Sequence, residues 1–350
     1  MKKQLGMTLI ELMIALVLGL IITAAAMQLF LTGSINYNLQ KAMTELQDNG
    51  NFGLNYILKD IRLANLDATQ AIVNDRNLFS GIVLTSFPSY TGLTADEQKL
   101  QVANLPLNLT GDKAGIKYLT HGEGQEGWGG STNINEYASD QLVIQYKAFE
   151  AGAMDCEGVA VTQSEIDKSV FIIQRYFLRQ DGGDLALACD AGRYVTLLEN
   201  ADLPTNITDF CGNGQVILRR VDHFHILLGI KDNVKDEFKY VTVKDYMGTK
   251  NTLVKDAASR PRIMSIQIGA LMRGFDAIPE GQNVPDQFQI LDQKVSLKTA
   301  AKQKKYIREV VSQTIALRNG LMCAEIAGDF HLGDSRQPTY KNSLPFDSVS

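Results

Sequence analysis

The chain has 350 residues, of which 45% are hydrophobic and 21% are charged. This composition is typical of a folded protein with a substantial core. Its formal net charge is −5, from 39 acidic and 34 basic residues. The charge argues against a protein whose whole surface binds nucleic acid, so we expect any contact with nucleic acid to be indirect.

The first 31 residues predict a helix that spans a membrane. Between Leu12 and Leu31 no residue is charged, and twenty residues at the helical rise cover about 30 Å, the hydrocarbon thickness of a bilayer. Lys2 and Lys3 precede the span. Because positive charges stay on the cytoplasmic side, we expect a cytoplasmic N-terminus and export of everything after Leu31.

Glu11 is the one charged residue inside the apolar stretch. A carboxylate in a membrane helix costs about 2.5–3.5 kcal/mol on insertion scales, so it needs a partner or a polar surrounding. Five residues earlier, Gly6 resists helix formation and lets the backbone enter a protease cleft without a side-chain clash. We therefore predict that Gly6 is a processing residue and that Glu11 is a functional contact.

Residues 6–12, Gly-Met-Thr-Leu-Ile-Glu-Leu, resemble the class III signal of type IV pilins and of the pseudopilins of type II secretion. The resemblance implies that a prepilin peptidase cuts between Gly6 and Met7 and that Met7 is then N-methylated. On this reading the chain is a substrate of that peptidase and not an enzyme. In an assembled fibre, the carboxylate of Glu11 would pair with the freed amino group of Met7 in a neighbouring subunit, which would offset the burial of both charges.

Two other interpretations of the N-terminus stay open. An ordinary secretory signal would be cut after small residues such as the alanines at 24–26, but a carboxylate is unusual in such a signal and the apolar helical pattern continues past the alanines. The other interpretation is a plain single-span anchor.

Apolar residues recur every three or four positions from Ile35 to Ile61, with polar residues between them. This pattern predicts an amphipathic helix. No proline occurs before residue 88, so one continuous helix from about Met7 to Asn65 is expected. Gly50 and Gly53 are its weakest stretch for a bend.

We predict four parts. They are a cleaved cytoplasmic leader (1–6), the membrane and assembly half of the helix (7–31), its amphipathic periplasmic half (32–65) and a globular β-rich head (66–350).

Short β-branched and aromatic segments predict strands in the head. They are residues 81–84, 140–146, 170–178, 216–218, 224–228, 262–271 and 307–317. An antiparallel sheet packed on the long helix is the economical arrangement. The predicted fold class is therefore α+β, a long N-terminal helix on a large antiparallel head.

Four cysteines, at Cys156, Cys189, Cys211 and Cys323, all follow the predicted span. An oxidising periplasm lets them pair, so we expect two disulfides, with three connectivities open. Cys-x-x-Cys spacing is absent, so we expect no metal site.

A series of motifs in the head resembles minor pilins of the PilW type and the related J-type pseudopilins, through the order in which the motifs occur. They are residues 140–146, 155–158, 187–189, 221–229, 262–274 and 317–319. The resemblance implies that Cys156 pairs with Cys189, which leaves Cys211 for Cys323.

The resemblance also implies a function. The chain would act with other minor pilins to prime type IV pilus assembly and would sit at the pilus tip, supporting twitching motility, adhesion or DNA uptake. Its partners would be other minor pilins, the major pilin, the inner-membrane assembly platform and a large tip adhesin. The alternatives are a J-type pseudopilin at the tip of a type II secretion pseudopilus and a tip adhesin that binds a surface ligand.

The remaining polar motifs favour structural roles. His223 and His225 face the same side of a strand, as a metal pair does, but without a nearby carboxylate motif we expect sheet-surface histidines. The acidic segments 181–184 and 232–237 do not match an EF-hand loop and are expected to be turns.

Two further stretches need no special function. The glycine-rich residues 121–132 around Trp128 are expected to form a flexible loop, with Trp128 as a candidate partner contact. Lys302, Lys304, Lys305 and Arg308 form a basic cluster that is expected to be a charged loop before a strand, and contact with DNA phosphates during uptake is the alternative. Neither a Ser/His/Asp nor a Cys/His arrangement stands out in the sequence, so we predict no catalysis and no cofactor.

Overall fold

The computed structural model describes residues 8–66, 72–86, 104–105, 118–125, 127–195, 207–231, 237–248, 260–278, 284–303 and 305–317. Several sequence predictions lie outside these ranges. They concern Gly6, Met7, Lys304, Cys323, most of the acidic segment 232–237 and the end of the motif 317–319.

A single helix, α1, covers Leu9–Ile61 and contains 53 residues. At the helical rise it is about 80 Å long. This confirms the predicted continuous helix. From Thr8 to Ser34 every residue is exposed, and α1 contains a stretch that is long and apolar enough, by length and composition, to cross a membrane.

The second half of α1 packs on the head. Its buried residues recur every three or four positions and are Leu46, Gly50, Gly53, Leu54, Ile57, Leu58, Asp60 and Ile61. This stripe confirms the amphipathic pattern, because one face contacts the head and the opposite face stays in solvent.

Gly50 and Gly53 allow the helix to approach the head closely. A Cβ atom at Gly50 would lie 2.7 Å from Met272 Sδ and 2.8 Å from Val311 Cγ2, and one at Gly53 would lie 2.6 Å from Leu218 Cδ1. The backbone is helical through both residues. The helix therefore does not melt at these two glycines, which make room for side chains of the strands beneath.

The described head contains two four-stranded antiparallel sheets, where the sequence had predicted one. The first has the order β1-β2-β3-β4, with β1 Leu142–Lys147, β2 Val170–Asp181, β3 Asp184–Val195 and β4 Gln215–Arg219. The second has the order β10-β7-β5-β6, with β5 Val221–Lys231, β6 Phe238–Val241, β7 Arg262–Ala277 and β10 Tyr306–Ala316.

Smaller elements complete the described head. A separate hairpin consists of β8 Gln287–Ile290 and β9 Gln293–Ser296. Three short helices are α2 Gln163–Asp167, α3 Val243–Gly248 and α4 Thr299–Lys302. The structure confirms the α+β class and the antiparallel pairing.

The β2–β3 hairpin shows why one acidic segment is a turn. Residues 181–184 connect the two strands, and Gly182 and Gly183 have φ angles of 58° and 97°. Two successive positive φ angles are the geometry of a tight hairpin turn, and glycine adopts them without steric cost. The predicted turn is confirmed here.

The main hydrophobic core joins the helix to both sheets. It contains Leu54 and Ile57 of α1, Tyr176 and Leu187 of the first sheet, and Phe224 and Ile266 of the second, among others. Helix α1 contacts β4, β7 and β10. Its second half is therefore part of the core of the head.

We expect Gly53→Leu to lower the free energy of unfolding by about 1–3 kcal/mol, since a side chain there would overpack the contact with Leu218. Gly33→Leu is the matched control, because a Cβ atom there would meet nothing within 4 Å. The measurement is chemical unfolding of the full chain in detergent, followed by circular dichroism. Equal midpoints for the two variants would show that α1 can move off the strands without cost.

Candidate functional site

The first half of α1 is the most unusual surface of the protein. Its large apolar side chains are exposed on all sides, for example Leu9 at 79%, Ile22 at 69% and Phe30 at 75%. An apolar surface of this size is not stable in water and marks contact with lipid or with another protein. Thr23 does not disturb this surface, because its hydroxyl lies 3.0 Å from the carbonyl oxygens of Gly19 and Leu20 and bonds within the helix.

Glu11 lies in the first turn of α1 and is exposed. The amide dipoles of a helix favour a negative charge at this end. Among the described residues, its neighbours one turn away along the helix are Thr8, Ile14 and Ala15. Met7, the predicted partner in another subunit, lies outside the described residues, so this pairing stays a prediction.

The cysteines give one disulfide in the part of the chain that the structure describes. Cys156 and Cys189 are bonded, with their Cα atoms 6.1 Å apart, within the usual range for a disulfide. This confirms the pair that the resemblance implied, and it ties the loop after β1 to β3. Cys211 is exposed and not disulfide-bonded to any described residue. Its predicted pairing with Cys323 is therefore not shown.

A buried carboxylate anchors the helix to the first sheet. Tyr176 donates a hydrogen bond of 2.8 Å to Asp60 of α1, and Tyr176 Oη also lies 3.0 Å from Gln174 Oε1. Burial raises the pKa of Asp60 to about 6, although the bond from Tyr176 opposes the shift. Because one tyrosine proton serves two acceptors, a protonated Asp60 satisfies the group best. Asp60 is one of the polar residues between the apolar positions of the predicted amphipathic pattern, but it lies among the buried residues of α1.

His225 of β5 is held between two carboxylates. Its Nδ1 lies 2.6 Å from Asp140 Oδ2 and its Nε2 lies 2.8 Å from Asp292 Oδ1. Burial on its own lowers the pKa of His225, but the hydrogen bonds and charges of the two carboxylates outweigh it and raise the pKa to about 9. Asp140 also accepts the backbone N–H of Ile226 at 2.9 Å. A charged histidine therefore fastens the β8–β9 turn to the second sheet.

His223, two residues earlier, is neutral. Burial and the charge of His225 lower its pKa to about 3. Its ring nitrogens lie 3.0 Å from Thr132 Oγ1 and 3.1 Å from Gln293 Oε1. Both histidines are buried, so the predicted sheet-surface location was wrong. In the described ranges no group of three or more His, Cys, Asp or Glu residues is arranged to hold a metal ion.

The glycine-rich stretch is tied to its surroundings. The indole N–H of Trp128 donates to the carbonyl of Ser139 at 3.0 Å, and the indole stacks on His121 with ring centroids 5.5 Å apart. Trp128 is partly buried. Its structural contacts leave less of the ring for a partner than the sequence suggested.

Two of the four clustered cations have partners within the protein. Lys302 donates to Asp286 at 2.6 Å, and Arg308 forms a buried ion pair with Asp222 at 2.6 Å. These pairs favour the structural interpretation of the cluster over a phosphate-binding one.

Two family profiles match the chain. The PilW family, described as type IV pilus-assembly protein W, matches residues 176–319, which extend from β2 to just past β10. The prokaryotic N-terminal methylation motif matches residues 1–27, which include the exposed apolar half of α1.

Among solved structures, a type IV-like pilin from Thermus thermophilus is similar to the chain at 14% identity and a TM-score of 0.24, over 52% of this chain and 79% of that one. No curated protein sequence matches.

We expect the stability of the wild-type head to fall as pH rises through about 6, because folding then buries a charged Asp60. The folded pKa of about 6 exceeds the ordinary value of 3.8, so the penalty is absent below pH 3.8 and reaches about 2–3 kcal/mol above pH 6. Asp60→Asn keeps an acceptor for Tyr176 and removes this dependence. The measurement is urea unfolding between pH 4 and pH 7.

The control is Asp48→Asn, which changes an exposed carboxylate on the same helix. Its stability should follow the wild-type curve at every pH. If the Asp60→Asn curve also runs parallel to wild type, the burial of charge at Asp60 is not the cause.

His225 gives a second pH dependence, in a higher range. Its folded pKa of about 9 lies above the ordinary 6.5, so its contribution is complete below pH 6.5 and is lost as pH rises through about 9. We expect His225→Gln to have a lower free energy of unfolding than wild type at pH 6.5. We also expect it to lack the loss of stability that wild type shows as pH rises through about 9. His223→Gln should keep the slope, since His223 is already neutral there. Unfolding free energies measured from pH 6 to pH 9.5 distinguish the two variants.

Proposed function

We propose that this chain, which the two profile matches support as a type IV pilin of the PilW type, is a minor pilin that primes pilus assembly and occupies the pilus tip. The observation that carries the proposal is that the N-terminal methylation motif matches residues which include the exposed apolar half of α1. This half continues without a break into the core of a head that matches the PilW family.

The role in pilus assembly follows from this arrangement. Before assembly, the apolar half of α1 spans the inner membrane and the head lies in the periplasm, with prepilin peptidase removing the leader after Gly6. During assembly, the apolar half moves out of the lipid and packs against other pilin helices. Van der Waals contacts between the helices then replace contacts with acyl chains. Glu11 then pairs with the amino group of Met7 in a neighbouring subunit.

The size of the head supports a tip location. The described head contains two four-stranded sheets, a further hairpin and a disulfide, which is more than a repeating fibre subunit needs. A cap of such heads would offer a surface on which the major pilin adds. The proposed partners are the other minor pilins, the major pilin, the inner-membrane assembly platform and a large tip adhesin, with motility, adhesion or DNA uptake as the outcome.

Glu11→Ala tests the assembly contact. We expect the variant to enter the membrane at the wild-type level, since removing a charge favours insertion, and to be lost at least tenfold from pili sheared off the cell surface. Quantitative immunoblots of membrane and sheared fractions measure both. Asp48→Ala, an exposed carboxylate farther along α1, is the control and should be incorporated normally.

Normal incorporation of Glu11→Ala would refute the pairing with Met7. Affinity purification of the intact chain tests the system itself, because a pilus role requires pilins among the captured proteins, whereas secretion pseudopilins would support the type II alternative.

A further inference from the structure

A cavity of about 260 Å³ lies between α1 and the head, close to the predicted membrane span. Its lining on the helix extends from Ile35 to Glu45, and its lining on the head consists of residues 276–278 and Ile307. Ile35 comes one turn after Leu31, the last residue of the predicted span. We call this cavity the juxtamembrane groove.

The level of the juxtamembrane groove in the bilayer follows from its position on α1. With residues 12–31 in the hydrocarbon, Ile35 lies about 6 Å beyond it at the helical rise. The headgroup layer on each side of a bilayer is about 5–8 Å thick, so the groove opens within this layer. Tyr37, two residues later, is 67% exposed, and tyrosine is enriched at membrane interfaces. Lipid headgroups are therefore the molecules that the groove meets while α1 is in the membrane.

The groove combines an apolar interior with a charged rim. Ile278 is buried, and Ile35 and Leu39 are half-buried, whereas Lys41 and Asp276 are exposed. Along the helix the apolar residues come first and the charged residue follows, farther from the hydrocarbon. A phospholipid has the same order of chemistry, since its acyl chains lie in the hydrocarbon and its charged headgroup lies outside it.

Lys41 is placed to meet a phosphate. Its Nζ lies 3.8 Å from Glu45 Oε1, but the two side chains are 62% and 51% exposed, and such surface pairs are weak. The ammonium group of Lys41 therefore stays able to donate to a further acceptor. Its long side chain can also reach back toward the membrane, as lysine side chains near the ends of membrane helices do.

Asp276 is placed to meet a cation. It is exposed and has no ion-pair partner among the described residues. The charged side chains in the described lining of the groove are Lys41, Glu45 and Asp276, so the lining carries one more negative charge than positive. Three arginines nearby, Arg219, Arg220 and Arg273, line a different cavity, which lies higher on α1 between Ala42 and Gly53.

This set of charges favours one class of headgroup. A headgroup with a phosphate alone would add a negative charge to a lining that already has an excess of one. A headgroup with a phosphate and an ammonium group adds no net charge, because the phosphate pairs with Lys41 and the ammonium pairs with Asp276.

We infer that the juxtamembrane groove binds a phospholipid whose headgroup carries both a phosphate and an ammonium group, as phosphatidylethanolamine does. The phosphate lies at Lys41 and the ammonium at Asp276. The inference rests on the proposed function, in which α1 spans the inner membrane before assembly. It adds a lipid contact that holds the head at the membrane surface during this stage.

Photo-crosslinking of the full chain in nanodiscs tests the inference. The bilayer contains equal amounts of phosphatidylethanolamine and phosphatidylglycerol, and a benzophenone amino acid replaces Asn38, Asn36 or Leu20. Asn38 lines the groove, whereas Asn36 does not and points about 200° away around the helix. Leu20, in the apolar half, reports the ratio of the two lipids in the bulk bilayer.

We expect the Asn38 reporter to enrich the phosphatidylethanolamine adduct at least threefold over the ratio at Leu20. The Asn36 reporter, at the same level on the other side of α1, should give the ratio at Leu20. Mass spectrometry of the adducts measures both ratios.

Two exposed substitutions test the assigned contacts. Asp276→Asn should lower the lipid ratio at Asn38 to that at Leu20, because the ammonium loses its partner. Lys41→Ala should lower the yield of both lipid adducts at Asn38 at least threefold, because both lipids carry a phosphate. An unchanged preference in Asp276→Asn, or an unchanged yield in Lys41→Ala, would overturn the inference.

Matched controls exist on the same helix. Asp48→Asn and Lys59→Ala change exposed residues of α1 that do not line the groove. Both should leave the ratio and the yield at Asn38 unchanged, and a change in either would show that the groove residues are not the cause.

The reporters also separate the inference from the proposed function. If Leu20 forms lipid adducts but Asn38 forms none, shows the ratio at Leu20 or prefers phosphatidylglycerol, the inference is wrong and the proposed function stands. If Leu20 forms no lipid adduct, α1 does not enter the bilayer and the proposed function fails as well.

Discussion

The structure depends on the close contact between α1 and the strands at Gly50 and Gly53. One helix has to satisfy two surroundings, since its first half is apolar on every side and its second half is one wall of a protein core. The absence of side chains at the two glycines brings Leu54 and Ile57 into the main cluster with residues of both sheets. Because the helix is continuous, a force or displacement on the apolar half reaches the head through these residues.

Buried polar groups then fix how the pieces of the head fit together. Asp60 meets Tyr176 at the junction of helix and first sheet, and His225 joins Asp140 to Asp292 at the junction of the second sheet and the β8–β9 turn. Each group gains its partner only in one arrangement of the surrounding elements, while a mispaired arrangement leaves a buried polar group unsatisfied. Such contacts add specificity to a core whose apolar contacts are less directional.

The sequence was sufficient for features that depend on local pattern. The continuous helix, its amphipathic stripe, the 181–184 turn and most strands rich in β-branched residues follow from spacing along the chain. The predicted strand 81–84 was wrong, because Ile82 forms only an isolated bridge to Ile144. Strand β3 was missed because its alanines and glycine are poor strand formers, and tertiary pairing with β2 and β4 decides its conformation. The four-residue strands β6, β8 and β9 are too short to show a period.

In the candidate site too, residues marked by local motifs could be predicted from the sequence, whereas contacts between residues far apart along the chain could not. The Cys156–Cys189 pair was predicted from motifs that occur in a recognisable order, and the structure confirms it. The role of Glu11, which was predicted from residues close to it in sequence, stays a prediction. The partners of Asp60 and His225 are 116 and 85 residues away along the chain, so spacing could not reveal them. The packing role of Gly50 and Gly53 could not be predicted for the same reason. The side chains for which they make room, Leu218, Met272 and Val311, lie on other elements.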